Sequence, residues 1–301
     1  MGKRNIVVCA ATGNQGKAVV DALLKTGNWN VIALSRDPKS DRAQSLTRLG
    51  AEVNNGDIED KASLIKAFAG AYGVFGVTQP WSADYKKCDV KKELLQGQNI
   101  TQACKEIGIQ HLVLSTVSNF GATHTGIPHI DSKLQIERDV VKSGTPYTFL
   151  RPASFMDNIG MDFFPIKKGS VRGFVDGDAK VPYIACCDIG TFAAIAFEHP
   201  ELYQQKGINL IGDFVSGDEL CEILSRLRNG EHFRYKTVPK ILLRIAAKEF
   251  YLMRVFFEKN GRPPYPKEVF EVIDHCKQIY PNLTTVEGYL KRQGFDTTSL
   301  S

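Results

Sequence analysis

Ile6-Val-Val-Cys-Ala-Ala-Thr-Gly-Asn-Gln-Gly-Lys17 is the stretch that decides how this chain folds. The run from Ile6 to Cys9 is short and apolar and reads as a strand. It breaks at a turn of small residues, Ala10 to Gly16. A helical pattern follows at once, with Ala18, Val19, Ala22 and Leu23 on one face and Gly27 just past its end. Strand, glycine turn and helix together make a frame that suits a pyrophosphate. The tight turn brings backbone N–H groups close, and the helix N-terminus adds partial positive charge. The spacing is A-x-x-G-x-x-G, with Gly13 and Gly16 present and Ala10 where a first glycine would stand. Alanine is the smallest replacement, yet its Cβ narrows the turn. The competing reading is an ordinary strand-to-helix turn, and the placing between strand and helix weighs against it.

Working outward, strand and helix patterns alternate through the first half. Strands are expected at Asn30–Ser35, Ala51–Asn54, Tyr72–Val77, Gln110–Ser115 and Tyr147–Leu150. Helices lie between them: one carries Ala43, Leu46 and Leu49 and closes at Gly50, and one is capped by Asp60. A long one runs from about Lys86 to Ile107, with Val90, Leu94, Gly97, Ile100, Ala103, Cys104 and Ile107 inward. A further helix, His129 to Lys142, turns Leu134, Ile136, Val140 and Val141 inward. This alternation predicts an α/β fold, a doubly wound parallel sheet of Rossmann-like type. Ligands on such sheets bind at the carboxyl ends of the strands. After Arg151-Pro152 the pattern loosens. Residues 1–152 are expected to form the dinucleotide-binding domain. Residues 153–301 are expected to form a smaller C-terminal α/β lobe, with some segments returning to the sheet. One of its helices is expected to run unbroken from Lys240 to about Phe257.

The composition is that of a globular chain: 301 residues, 43% apolar, 24% charged, with a formal charge of +5. So small a charge does not point to direct nucleic-acid binding. The seven cysteines, Cys9, Cys88, Cys104, Cys186, Cys187, Cys221 and Cys276, form no C-x-x-C pair and no metal-ligand spacing. They suit a reducing compartment, and no metal is expected. No signal or transit peptide and no long apolar run is visible, so a soluble chain is expected, cytoplasmic with the nucleus as an alternative, and without membrane association.

The second strand ends Leu34-Ser35-Arg36-Asp37-Pro38-Lys39. Where NAD-binding turns place an acidic residue for the ribose 2′-OH, this chain has Ser35 and Arg36. A guanidinium offers a planar fork to a phosphate, so NADP(H) is favoured, with Arg36 and Lys39 on the 2′-phosphate. Asp37 argues the other way, and a plain surface charge is the alternative for Arg36. The turn residues Ala11, Thr12, Gly13, Asn14, Gln15 and Gly16 are assigned to the dinucleotide. Asp57 and Ile58 are placed to meet adenine, and Thr78 and Gln79 to lie near the nicotinamide-side ribose.

With Ala-Thr-Gly-x-Gln-Gly, an arginine ending the second strand, and Gly56-Asp57, the first half resembles the short-chain dehydrogenase superfamily. More narrowly, it resembles the NmrA-like family. His129-Ile-Asp-Ser-Lys133 is similar to that family's His-Phe-Asp-x-Lys segment, and Leu150-Arg-Pro-Ala-Ser-Phe-Met-Asp-Asn158 to its Arg-Pro-x-x-Phe-Met stretch. Val181-Pro-Tyr-Ile, Asp188-Ile-Gly and the segment from Tyr280 to Leu290 extend the likeness over nearly the whole chain. Ala10 is the departure. Ordinary superfamily members use Tyr-x-x-x-Lys, a proton donor and a lysine one helical turn apart. Here His129 takes the tyrosine position, with Lys133 at the right spacing.

Two readings follow from the resemblance. In one, Lys133 anchors the nicotinamide ribose, His129 does no chemistry, and the protein is a redox sensor that signals to a regulatory protein partner. In the other it is an NADPH-dependent reductase of quinones or related carbonyl compounds, with His129 and Lys133 catalytic. The sensor is preferred, a homodimer is compatible with either, and a degenerate fold that binds nothing is the third, blander alternative. Phe155, Met156 and Asn158 are read as lining the nicotinamide side, with lobe packing as the alternative. Trp81 and Tyr85 are read as a lid or as cover for the sheet. Ser115 and Thr116 fall near the superfamily's catalytic serine by the resemblance and are read as a hydrogen-bonded strand end, and His124 is read as a surface residue, rather than a ligand, of the loop that opens at Asn119. Lys236, Lys240, Arg244 and Lys248 form a basic stripe, with Arg254, Lys259 and Arg262 beyond, read as a solvated face, with docking of an acidic partner or of nucleic acid as the alternatives.

Overall fold

The computed structural model describes residues 2–82, 87–118 and 123–297. Tyr85, Lys86 and Asn119 lie outside them. Met1–Pro152 with Cys186–Asn209 form one compact unit, and Ala153–Ala185 with Leu210–Ser301 a second.

The first unit follows the alternation in the sequence. Its elements are β1 (Arg4–Val8), α1 (Asn14–Thr26), β2 (Trp29–Ser35), α2 (Asp41–Leu49), β3 (Glu52–Asn55) and α3 (Lys61–Phe68). Then come β4 (Gly73–Val77), α4 (Val90–Ile107), β5 (His111–Ser115), α5 (Pro128–Ser143), β6 (Tyr147–Pro152) and, after a return of the chain, α6 (Cys186–Glu198). With the strand Lys206–Leu210 at one edge, the seven-stranded sheet runs Lys206–Leu210, β6, β5, β4, β1, β2, β3. β1 pairs in parallel with both β2 and β4, Val8 opposite Ala33 on one side and Phe75 on the other. The order of strands therefore reverses beside β1, and the crevice at the carboxyl ends opens there.

Local signals set the helix limits. Ser40 and Asp60 cap α2 and α3 through their side chains, and Gly27 and Gly50 end α1 and α2 in the left-handed region. α4 starts at Val90 rather than near Lys86, because the Asp89 side chain accepts from the Lys92 N–H and fixes the first turn. β4 and β5 are buried along their whole length. Val7, Val74 and Leu112 on one face of the sheet pack with Leu64, Phe68, Ile100 and Val140 of α3, α4 and α5. α1 and α6 pack together as the other pair. Their approach is close: a Cβ on Gly190 would lie 2.6 Å from the Ala18 carbonyl carbon and nearer still to its oxygen. Val141, expected inward, is 51% exposed. Val140 takes the inner position, and its neighbour stands 100° round the helix.

The second unit holds two three-stranded sheets, Asp213–Ser216 with Lys180–Ile184 and Ser154–Phe155, and Arg234–Thr237 with Ser170–Gly173 and Ile166–Lys167. Helix Gly217–Leu227 opens on a capping box between Ser216 and Glu219. Met156, Val171, Val181, Leu224, Val286 and Leu290 belong to its core. The single helix expected from Lys240 to Phe257 is two, Lys240–Ala246 and Lys248–Asn260. Ala247 adopts φ −151° and ψ 63°, ending one and starting the other. Its N–H still reaches Leu243 O, and its carbonyl accepts from the Tyr251 N–H. Leu243, Ala246, Phe250, Met253 and Phe257 recur at helical spacing across the break, so periodicity alone does not reveal it. Lys248 therefore opens a second helix instead of continuing the stripe. Among the described residues no helix is long and apolar enough to cross a membrane.

His111, at the start of β5, is fully buried. Its Nε2 is 2.8 Å from Thr148 Oγ1, which itself donates to Tyr203 O. The ring nitrogen on that side is therefore the donor, and Nδ1 is a buried acceptor without a partner. Protonating Nδ1 would bury a charged N–H, so burial pushes the imidazole down from 6.5 to about 4. The unfolded chain takes this proton at the higher pH and the folded chain does not. Stability is therefore full above about pH 6.5 and is lost as the pH falls toward 4, by roughly 3 kcal/mol. Denaturant unfolding across this window should show that slope, and His111→Asn should flatten it; an equal slope in the variant would contradict the assignment.

Candidate dinucleotide site

The turn after β1 closes on itself. The Gly13 N–H donates to Ala10 O at 3.0 Å, and the Ala11 N–H reaches Leu34 O at 3.3 Å. Ala10 is held at φ +47°, in the left-handed region. An L-residue there costs roughly 1–2 kcal/mol. The chain thus keeps the glycine conformation without the glycine, and the turn stays closed. Gly16 has no such latitude: a Cβ there would lie 2.7 Å from Ala11 Cα and nearer still to the Ala10 carbonyl oxygen. α1 begins at Asn14 with no side-chain cap and no acidic residue in its first turn. Its first N–H groups and its dipole therefore face the carboxyl end of β1 uncompensated, the arrangement that favours an anion. Gln15 is fixed from the far side, its Oε1 accepting from Ser115 Oγ at 2.6 Å.

The ends of β2 and β3 come next. Arg36 is exposed, and its carbonyl accepts from Asn55 Nδ2 at 3.1 Å. Asp37 is turned into its own loop, where Oδ1 accepts from the Lys39 N–H at 3.0 Å and the carbonyl from Ser35 and Ser40. That engagement weakens the case for Asp37 on a ribose hydroxyl. Lys39 is exposed nearby. Asp57 Oδ1 accepts from the Glu59 N–H, and the Ile58 carbonyl from Asn99 Nδ2. The Glu59 carboxyl is held below the usual range, first by its hydrogen bond with Lys92, then by Gln96 and the charge of Arg36.

Beyond β4 lies a buried polar knot. Lys133 Nζ donates to Thr78 O at 2.8 Å and Thr78 Oγ1 at 2.6 Å, and stands 2.9 Å from Glu93 Oε1. Thr78 Oγ1 donates to the same carboxylate oxygen at 2.9 Å, and Ser132 Oγ donates to Glu93 Oε2. Glu93 is fully buried. An ammonium has three protons, and all three are directed at these partners. Next to the knot, the Gln79 N–H donates to Gln96 Oε1 at 2.8 Å. His129 is one turn from Lys133 on α5, its ring 5.4 Å from that of Trp81. Thr116 Oγ1 donates to Glu137, which also takes two hydrogen bonds from Arg151. His124 is exposed and pairs with Asp131.

Thr78, Gln79 and Lys133 are thus brought together, with the turn residues and Arg36 at the ends of neighbouring strands. Phe155 and Asn158 belong to the second unit. Phe155 ends a short strand opposite Ile184, and Asn158 closes the turn Met156–Asn158. Met156 is fully buried there and packs in that unit's core. Glu93, Gln96 and Asn99 were not singled out by sequence reasoning. Their signal is polar residues three apart on the same helix as Gly97, Ile100 and Ala103. Among the described residues no group of three His, Cys, Asp or Glu side chains could hold a metal.

The knot has a measurable consequence. Glu93→Gln keeps the shape and leaves a buried ammonium without its counter-charge, which costs about 3–5 kcal/mol. Denaturant unfolding should show that loss, and adding Lys133→Met to Glu93→Gln should restore part of it. A Glu93→Gln protein as stable as the parent would contradict the pairing.

A model of the NmrA-like family matches residues 2–290. Among curated proteins, an NmrA-like family domain-containing oxidoreductase, malD, of Malbranchea aurantiaca is 30% identical over 254 residues, 78% of this chain and 75% of that protein. Among solved structures, NmrA, a negative transcriptional regulator, in complex with NAD is 21% identical with a TM-score of 0.75, covering 96% of this chain and 94% of that one. An NADPH-dependent quinone oxidoreductase of Escherichia coli, complexed with NADPH, is also 21% identical, with a TM-score of 0.74 over 96% and 99% of the two chains. The match to the family spans both units, and this chain belongs to the NmrA-like family.

Proposed function

We propose that this protein binds NADP(H) at the carboxyl ends of β1 to β4 and acts as a sensor of that dinucleotide, passing its state to a regulatory protein partner. The observation that carries the reading is Lys133. In the Tyr-x-x-x-Lys arrangement a free ammonium lowers the pKa of a proton donor. Here the tyrosine is absent, and the ammonium is spent on Thr78 and Glu93. The same knot gives binding a way to be felt. A ribose hydroxyl that accepts a hydrogen bond from Lys133 must displace Thr78 or Glu93 as its acceptor. That loosens the segment from Thr78 through Trp81, whose ring packs on His129. Exchange of partners at one lysine thus couples an occupied site to a surface segment.

The residues present suit the group. The uncapped α1 terminus would hold the pyrophosphate, Arg36 with Lys39 the 2′-phosphate, Asp57 and Ile58 the adenine side, and Thr78, Gln79 and Lys133 the nicotinamide-side ribose. When bound, the nicotinamide supplies a hydride.

A second reading, an NADPH-dependent reductase of quinones or related carbonyls, is favoured by the oxidoreductase names of curated relatives such as malD. A quinone accepts hydride with little help from a protein acid, and His129 would be the group at hand.

Limited proteolysis with NADPH, with NADP⁺ and without either separates the readings, run beside NADPH consumption over a quinone panel. The sensor should show cleavage near Trp81 that depends on the nucleotide, with no quinone-dependent consumption. Identical patterns, or turnover that His129→Ala abolishes, would overturn it. Arg36→Ala should weaken NADPH by at least about tenfold while leaving NADH little changed, since one charge-assisted contact is worth roughly 1.5–3 kcal/mol.

A further inference from the structure

The helix Lys240–Ala246 in the second unit is built inside out. Leu243 is its buried residue. Ile241, Leu242 and Ile245 are 60%, 55% and 78% exposed. At 100° per residue, Ile241 and Ile245 lie 160° and 200° from Leu243, so the face pointing directly away from the protein is apolar. Lys240 and Arg244 sit between that face and the buried side. A solvated helix would place these residue types the other way round. Three large aliphatic side chains on barely two turns are not the scattered exposure that any surface carries.

The charge around this helix is mostly positive. Between Arg234 and Arg262 the chain carries eight Lys or Arg residues and two carboxylates, Glu249 and Glu258. That surplus exceeds the +5 of the whole chain, so the remaining sequence is close to neutral. Glu258 is bound to Arg254 and Lys240, while Asp176 and Asp178 are taken by Arg254 and Arg262. Lys236, Arg244, Lys248 and Lys259 are exposed.

We infer that this helix is a docking surface for an anionic lipid bilayer. Ile241, Leu242 and Ile245 enter the boundary between headgroups and acyl chains, and Arg244 with Lys236, Lys248 and Lys259 meets the acidic headgroups. This is the pattern of a helix lying in a membrane interface, apolar on one side with cations beside it. The aliphatic residues crown the side opposite the buried anchor, where a planar apolar phase can receive them. Nucleic acid would use the cations and find no partner for that face. The sequence alone pointed away from a membrane because no long apolar run is visible, and the exposure of these apolar side chains cannot be read from residue type. Seven residues give a shallow and reversible attachment, not a span.

The test is co-sedimentation of the full chain with vesicles of phosphatidylcholine alone or of phosphatidylcholine with phosphatidylserine. The protein should sediment with the acidic vesicles and not the neutral ones, and raised salt should weaken the association. Ile241→Asp with Ile245→Asp should reduce it at least tenfold while the melting temperature and the mass in solution stay those of the parent. These positions are exposed, so the double variant keeps its fold. No sedimentation with acidic vesicles, or equal sedimentation of the double variant, would overturn the proposal. So would a parent dimer that the double variant converts to a monomer, since the face would then belong to a second copy. None of these outcomes depends on the dinucleotide reading.

Discussion

The approach of α1 to the end of β1 is the constraint on which the first unit depends. A single Cβ at position 16 would run into the backbone of Ala10 and Ala11. Because that Cβ is absent, the helix starts where its unpaired N–H groups face the strand end. The same economy recurs along α1, where Gly190 lets α6 lie against Ala18. Ala10 shows how strongly the geometry is imposed. The packed strand and helix hold an alanine in a conformation it disfavours rather than let the turn open.

The other half of the site is held by charge. Glu93 and Lys133 come from α4 and α5, which lie on the same side of the sheet, and meet under the end of β4. Neither would tolerate burial alone, and together they fix Thr78 through both its hydroxyl and its carbonyl. The strand end is therefore tied to two helices by one ion pair. The sensor role proposed above rests on this corner, where a ligand competing for that lysine would loosen the strand end from both helices.

Much of this was legible in the sequence. The first strand, the glycine turn and the alternating pattern were sufficient for the parallel sheet, because side-chain period and helix caps act locally. Asp60 and Gly50 mark their helix ends as read. Glu93, Gln96 and Asn99 were hidden, since polar residues on an inner face become meaningful only when a partner from another helix meets them. The break at Ala247 was hidden for a different reason: Leu243, Ala246, Phe250, Met253 and Phe257 recur at helical spacing across it. Val141 was misplaced by one residue, and the exposure of Ile241 and Ile245 cannot be read from apolar character alone.

The claim most in need of a direct measurement is that the uncapped turn holds a dinucleotide and that Arg36 selects among them. Calorimetric titration of NADP⁺ and of NAD⁺ into the same preparation addresses both parts, and the oxidised forms avoid any turnover. One saturable site is expected, with NADP⁺ bound at least about tenfold more tightly, the value of one phosphate contact. Absence of heat for both nucleotides at millimolar concentration would mean that Ala10 has closed the turn to phosphate and that no dinucleotide binds there.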